Sequence, residues 1–175
     1  MHIRRLNKNS IGSVLIVKPR FMTHLNPGDS APDFSAPDQN GNMLTLANFK
    51  GQKLVLFFYP HDMTPTCTVE ACNLRDHYTE LQNAGYNVVG VSEDSETKHQ
   101  KFIAKHDLPY PLIADTEHQL LESYGVWGEK KFMGKIYDGT HRTTFVIDEE
   151  GLIEQVITKV KSKIHAEQIL EGANA

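Results

Sequence analysis

The sequence predicts an α/β protein with a central mixed β-sheet flanked by helices. Short apolar runs alternate along the chain with segments of helical periodicity, a pattern typical of a parallel sheet that is covered on both faces. Near the end, "TTFVID" (143–148) and "LIEQVITKV" (152–160) are separated only by "EEG", which predicts a closing hairpin. The hairpin adds antiparallel strands, so the expected sheet is mixed.

Each element has its own local signal. "KLVLFFYP" (53–60) is a continuous apolar run that ends in proline, which is typical of a strand buried on both faces. Glycines 85 and 125 are helix stops, and Ser95 is a capping residue. The stretch 26–42 is rich in turn residues, with a short extended piece around Phe34 and a turn at Asn40-Gly41. Together these signals predict strands over 53–60, 87–92 and 111–115, helices over 66–83, 95–107 and 118–125, an irregular segment over 126–141, and a terminal helix over 162–175.

The composition of the chain argues against several functional classes of protein. A chain of 175 residues can bury one good core, and 39% hydrophobic with 23% charged residues is ordinary for a globular protein. No apolar run approaches the roughly 18 residues that span a bilayer. The net charge of −4 argues against nucleic acid as a partner. We therefore expect a cytoplasmic protein with neither a membrane nor a nucleic-acid partner.

The first 21 residues differ from the rest of the chain. They carry five basic residues and no acidic one, whereas the remainder has 13 basic and 22 acidic residues. They also contain the apolar run "IGSVLIV" (11–17). A basic tail, an additional strand and a targeting segment all remain open. We favour a tail, since Met22 is an alternative start, and expect one domain over 22–175.

Both cysteines lie in "YPHDMTPTCTVEACNLRD" (59–76), just past the first long strand. Thr64 is suited to cap a helix whose first position is Pro65. Cys67 then falls in the first turn, where free backbone N–H groups and the positive helix end favour the thiolate. A cysteine-bearing helix after the first long strand is the thioredoxin-like arrangement, with the reactive group at the carboxyl end of the sheet.

The same stretch contains residues suited to other chemistries. His61, Cys67, Cys72 and His77 are zinc-type ligands, but on a helix residues 67, 72 and 77 point about 140° apart and cannot close a tetrahedron. We expect neither a metal nor a cofactor. Disulfide reductases usually use Cys-x-x-Cys, whereas the spacing here is Cys-x4-Cys. A redox-sensing or disulfide-exchange protein remains an alternative.

Pro60, Thr64 and Cys67 fit the Pro-x-x-x-Thr-x-x-Cys signature of peroxiredoxins. The whole stretch resembles the bacterioferritin comigratory protein, or peroxiredoxin Q, subfamily. Two later segments, "YGVWGEKKFMGKIYDG" (124–139) and "HRTTFVIDEEG" (141–151), resemble the same subfamily. The resemblance extends from about residue 26 to the C-terminus.

This resemblance implies a set of site residues. Cys67 would be the peroxidatic cysteine, with Thr64 in contact with the peroxide and Pro60 shielding the sulfur. Arg142 would favour the thiolate and polarise the peroxide, and Cys72 matches the resolving cysteine of one branch. The implied activity is an antioxidant peroxidase for hydrogen peroxide and organic hydroperoxides. It would run through a Cys67 sulfenic acid and a Cys67–Cys72 disulfide, in a protein that is a monomer and is recycled by thioredoxin.

Overall fold

A computed structural model describes residues 23–174. The strands in this range are β1 (Ser35–Pro37), β2 (Met43–Thr45), β3 (Lys53–Phe58), β4 (Tyr86–Ser92), β5 (Leu112–Ala114), β6 (Trp127–Phe132), β7 (Lys135–Thr140), β8 (Thr143–Ile147) and β9 (Ile153–Ile157). The α-helices are α1 (Pro65–Asp76), α2 (Tyr78–Asn83), α3 (Glu96–His106), α4 (Gln119–Ser123) and α5 (His165–Ala173). Short 3₁₀ turns cover Leu46–Phe49 and Ser162–Ile164.

The central sheet has five strands in the order β5-β4-β3-β8-β9. Strand β3 pairs in parallel with β4, and β4 pairs in parallel with β5. Strand β8 runs antiparallel to both β3 and β9. The prediction of a central mixed sheet is therefore confirmed. The order also places the start of β8 beside the end of β3, where the cysteine-bearing helix begins.

Strand β3 contributes to both hydrophobic cores because successive side chains point to opposite faces. Leu54, Leu56 and Phe58 belong to the core that also contains α4, while Val55 and Phe57 belong to the core beneath α1, α3 and α5. All five side chains are at most 1% exposed. The continuous apolar run in the sequence reflects this double burial.

The single helix predicted over 66–83 is wrong, because it is divided into α1 and α2 at His77. The backbone N–H of His77 donates to the Asn73 carbonyl at 3.2 Å, and the ring Nδ1 lies 2.9 Å from the same oxygen. A side chain that competes for a helical carbonyl favours a local break in the helix.

The prediction of an irregular segment over 126–141 is also wrong. Strands β6 and β7 form an antiparallel hairpin over most of it, joined by a two-residue turn. Met133 and Gly134 in this turn both have positive φ, 48° and 79°, as the preferred two-residue hairpin turn requires. Much of the hairpin is exposed, so the sequence lacks the alternation of a half-buried strand.

The remaining predicted elements are present, with ends that differ by a few residues. The extended piece near Phe34 is part of a small β1–β2 hairpin, and Asn40-Gly41 lies in its connection. No helix among residues 23–174 is long and apolar enough to cross a membrane. The predicted extension over 1–21 lies outside the described residues, so its interpretation stays a prediction.

Candidate active site

Six residues separate the end of β3 from the start of α1, and this loop carries two of the predicted site residues. Pro60 is partly buried in this loop, and Thr64 occupies the N-cap position with Pro65 following. The expected cap hydrogen bond is absent: the Thr64 hydroxyl donates to the His61 carbonyl at 2.8 Å. Its proton is thereby engaged, and the oxygen lone pairs can accept a hydrogen bond from a ligand.

Cys67 lies in the first turn of α1 and is 1% exposed. Arg142, which directly precedes β8, donates from Nη2 to the Cys67 sulfur at 3.0 Å. A guanidinium so close to a sulfur favours the negatively charged form of that sulfur. The pairing of β8 with β3 brings the two residues together although 75 positions separate them in the chain.

The same guanidinium also holds Glu70. Its Nη1 donates to Glu70 Oε2, and the Glu70 side chain is fully buried. The other carboxylate oxygen, Oε1, is buried and has no hydrogen-bond partner among residues 23–174. Burial raises the pKa of Glu70 to about 7, although the nearby charge of Arg142 acts in the opposite direction. Near neutral pH this carboxyl therefore titrates beside the reactive sulfur.

Arg142 remains a cation in this partly buried position. Burial by itself lowers the pKa of Arg142, but the charges of Glu70 and Cys67 outweigh that effect and raise the pKa above its ordinary value. Glu70 is a site residue that was not predicted from the sequence. Its position three residues after Cys67 on one helix face was the available signal, since such neighbours share a surface.

Two further basic side chains surround this group. His165 is buried, with its Nε2 at 2.8 Å from the Thr144 hydroxyl and 3.7 Å from Glu70 Oε1. Burial lowers the pKa of His165 to about 4, so the ring is neutral near pH 7. Lys130 of β6 is half-buried, and burial, followed by the charge of Arg142, lowers its pKa.

Cys72 lies further along α1 and is only partly buried. Its sulfur is 3.8 Å from His106 Nδ1 on α3. The two cysteines are both free thiols and lie on one unbroken helix. Residues five apart on an α-helix have Cα atoms about 8.7 Å apart, whereas a disulfide requires less than about 7 Å. This conformation therefore keeps the two sulfurs from bonding.

The four side chains considered for zinc do not converge. His61 pairs with Glu93 and Asp94, and His77 pairs with Glu167. Within residues 23–174 no group of three or more His, Cys, Asp or Glu side chains has a geometry that could hold a metal ion.

Comparison with known proteins identifies the class to which this arrangement belongs. The model of the AhpC/TSA family matches residues 27–156, and the chain belongs to that family. It is similar to Peroxiredoxin Bcp of Escherichia coli, with 48% identity over 149 residues, which is 85% of this chain and 96% of the relative. The predicted resemblance to this subfamily is confirmed.

Solved structures agree with this assignment. Peroxiredoxin Q of Xanthomonas campestris superposes with a TM-score of 0.75 and 35% identity, covering 81% of this chain and 89% of that one. A cysteine-to-serine variant of PrxQ from Xylella fastidiosa gives a TM-score of 0.80 at 30% identity, covering 86% and 96%. The thioredoxin-like fold is confirmed, and these relatives support a thiol peroxidase that acts on a peroxide with the help of a reductant.

Proposed function

We propose that the chain reduces hydrogen peroxide and organic hydroperoxides to water and alcohols, with Cys67 as the nucleophile, Cys72 as the resolving residue and thioredoxin as the reductant. The observation that carries the proposal is the 3.0 Å contact between Arg142 Nη2 and the buried Cys67 sulfur. A thiolate, unlike a thiol, is a strong nucleophile, and a fixed cation beside it favours that form.

In the first step, the Cys67 thiolate attacks one peroxide oxygen and the O–O bond breaks. The sulfur is oxidised to a sulfenic acid, and the second oxygen leaves as hydroxide or alkoxide and takes up a proton. The Arg142 guanidinium stabilises the charge that develops on the leaving oxygen. The Thr64 oxygen accepts a hydrogen bond from the peroxide hydroxyl, because the Thr64 proton is directed to the His61 carbonyl. Pro60 shields the sulfur from water.

In the second step, the Cys72 sulfur attacks the Cys67 sulfenic acid, and one water leaves as the Cys67–Cys72 disulfide forms. Because α1 holds both residues too far apart, its first turns must unwind beforehand. The residues there suit such opening, since Thr66, Thr68, Val69 and Asn73 all have modest helix propensity.

In the third step, an external dithiol reduces this disulfide by thiol–disulfide exchange. One thiolate of the reductant attacks a sulfur of the Cys67–Cys72 disulfide and forms a mixed disulfide with the protein. The second thiol of the reductant then attacks its own sulfur in this mixed disulfide and frees the protein. Both cysteines return to the thiol form, and the reductant leaves as a disulfide. We assign this step to thioredoxin, which is the usual reductant of the family.

The deciding experiment is peroxide-dependent NADPH oxidation with thioredoxin and thioredoxin reductase, run on wild type and Cys67→Ser. Sustained turnover by the wild type and none by Cys67→Ser would support the proposal. A wild type that reacts with one equivalent and then stops would indicate a redox sensor. Turnover that requires a protein disulfide as substrate and does not depend on peroxide would indicate a disulfide reductase.

The domain, location and assembly are also proposals. We propose that a single peroxidase domain over 22–175 works as a monomer in the cytoplasm, and that residues 1–21 are a dispensable tail. The family match begins at residue 27, which supports the domain boundary. Deletion of residues 1–21 should leave peroxidase activity and melting temperature nearly unchanged. A clear fall in melting temperature would show that the segment contributes to the folded domain.

A further inference from the structure

A buried polar cluster lies directly behind the loop that carries Pro60 and Thr64. Asp62, in the middle of this loop, has a side chain with no exposed surface. Its Oδ2 is 2.6 Å from Nδ1 of His99 on α3, and its Oδ1 accepts the Tyr59 hydroxyl at 2.6 Å. The His99 side chain is also fully buried. None of these three residues takes part in the chemistry proposed above.

The hydrogen-bond partners determine where the protons lie. His99 Nε2 faces the Ile113 carbonyl at 2.9 Å, and a carbonyl can only accept, so Nε2 carries a proton. Nδ1 faces a carboxylate oxygen at 2.6 Å, so one further proton lies between those two atoms. Asp62 and His99 therefore form a neutral unit that links the loop to α3 and β5.

The backbone of Asp62 is held as firmly as its side chain. Its N–H donates to Asp94 Oδ2 at 2.6 Å, and Asp94 also accepts from Ser92 and Lys98. Burial pushes the pKa of Asp94 upward, but the hydrogen bonds from Lys98, the Asp62 N–H and His61 outweigh it and lower the pKa below 3.8. Asp94 is thus a carboxylate at neutral pH and a strong acceptor for this N–H.

The next residue shows why the loop needs such support. Met63 has φ of +65°, a left-handed conformation that is unfavourable for a side chain with a Cβ atom. Such a conformation persists only where the surrounding structure imposes it. The Asp62 contacts lie immediately before this residue, and the Thr64 contact with the His61 carbonyl spans it.

We propose that Asp62 and His99 are positioning residues that fix the Pro60–Thr64 loop over the Cys67 sulfur. This inference rests on the proposed function. A buried ion pair contributes little net stability, whereas it fixes geometry well. Loss of the pair should therefore impair the reaction with peroxide, which needs Thr64 and Pro60 in place. It should leave simple alkylation of Cys67 intact, because alkylation needs only the Arg142-supported thiolate.

The test measures two rates on the reduced full-length chain. The first is the second-order rate of Cys67 oxidation by hydrogen peroxide in a single turnover. The second is the rate of Cys67 alkylation by iodoacetamide in a Cys72→Ser background. Asp62→Ala should lower the peroxide rate at least about tenfold, which is roughly 1.4 kcal/mol of barrier. The alkylation rate should stay within about twofold of the parent.

The conservative substitution Asp62→Asn should restore most of the peroxide rate that Asp62→Ala loses. Asparagine can accept the Tyr59 hydroxyl with its oxygen and donate its amide to a neutral His99 Nδ1, so the cluster keeps its geometry without charge. Its peroxide rate should lie within about threefold of wild type. An Asp62→Asn chain as slow as Asp62→Ala would overturn the geometric role and indicate that the charge matters instead.

Two phenylalanine variants provide a matched comparison if Asp62→Ala fails to fold. Tyr59→Phe removes the hydroxyl from which Asp62 accepts a hydrogen bond, and Tyr124→Phe removes the hydroxyl of another buried tyrosine, which donates to the Pro32 carbonyl. Tyr59→Phe should lower the peroxide rate but not the alkylation rate, whereas Tyr124→Phe should change neither. A peroxide rate in Asp62→Ala or Tyr59→Phe within twofold of wild type, or an equal fall in both rates, would overturn the inference. A wild type that does not react with peroxide would overturn the proposed function itself, and this inference with it.

Discussion

The two cysteines lie on one helix, yet their surroundings differ in charge and in exposure. Cys67, in the first turn of α1, is buried and accepts a hydrogen bond from the Arg142 guanidinium. Cys72, in the C-terminal half of the helix, is partly exposed beside His106. The pairing of β8 with β3 brings the Arg142 guanidinium to the Cys67 sulfur, and this contact is the reason for proposing Cys67, rather than Cys72, as the nucleophile.

The two ends of α1 also differ in how they are anchored. Around Cys72, the Tyr110 hydroxyl donates to the Ala71 carbonyl at 2.7 Å, and the Asn73 side chain accepts from the Ala166 N–H at 2.7 Å. Around Cys67, the charge pair of Arg142 with Glu70 provides the support. Oxidation of Cys67 changes the charge at its own end of the helix, so opening should be coupled to the state of that sulfur.

The largest expected difference separates the two cysteines themselves. Cys72→Ser should reduce one equivalent of peroxide at a near-normal rate and then stop, because the Cys67 sulfenic acid has no partner. Thioredoxin-supported turnover should be lost. Dimedone labelling followed by peptide mass analysis should locate the sulfenic acid at Cys67. Sustained turnover with thioredoxin in Cys72→Ser would mean that Cys72 does not resolve the intermediate.

Arg142 and Arg75 allow a matched test of the role of the guanidinium beside Cys67. Arg142→Lys should slow peroxide oxidation of Cys67 about tenfold, because lysine cannot hold the sulfur and Glu70 with one planar group. Arg75→Lys, on the Cys72 end of α1, should leave this first step unchanged. Stopped-flow oxidation by hydrogen peroxide measures both. Equal rates in Arg142→Lys and Arg75→Lys would remove Arg142 from the reaction.

Substitution of Glu70 should have a smaller effect, which is on the stability of the folded chain and depends on pH. Since its pKa is raised to about 7 in the folded chain, the folded state holds a proton there that the unfolded state releases near pH 4.5. The stability from this group is therefore complete below about pH 4.5 and is lost as pH rises through about 7. Glu70→Gln should gain stability relative to wild type across that window, by roughly 3 kcal/mol at most.

Urea unfolding at several pH values checks this prediction. The informative quantity is how the difference in the free energy of unfolding between Glu70→Gln and wild type changes with pH. A difference that is constant with pH carries no information about titration. Glu150→Gln, an exposed carboxyl, is the control and should show no such trend. A Glu70→Gln difference that is flat between pH 4.5 and 8 would show that Glu70 is not protonated in the folded state.

Local patterns in the sequence were sufficient to predict the sheet and the start of the helix that carries Cys67. The run 53–60 and the Thr64-to-Cys67 spacing contain their own signals, namely double burial and a helix start. The break at His77 was missed because it depends on a side chain binding a helical carbonyl. The β6–β7 hairpin was missed because it projects from the core and carries no apolar periodicity.

The supporting residues of the site were not predicted from the sequence, for reasons that differ from one residue to the next. Glu70 was within reach, three positions from Cys67, but its burial becomes evident only when Arg142 is placed above it. Asp62 and His99 are 37 positions apart, and no periodicity links them. They meet because the β4–α3 connection folds back beside the loop after β3, a tertiary event without a local signature.

The most direct test of the account concerns the helix that separates the two sulfurs. Amide hydrogen exchange over residues 66–76 should be measured in the reduced chain, in the peroxide-oxidised chain, and in peroxide-treated Cys72→Ser, which cannot close the bond. Exchange should be faster in the oxidised wild type than in either of the others, because the Cys67–Cys72 disulfide cannot form within an intact α1. Identical exchange in the reduced and oxidised wild type would contradict it.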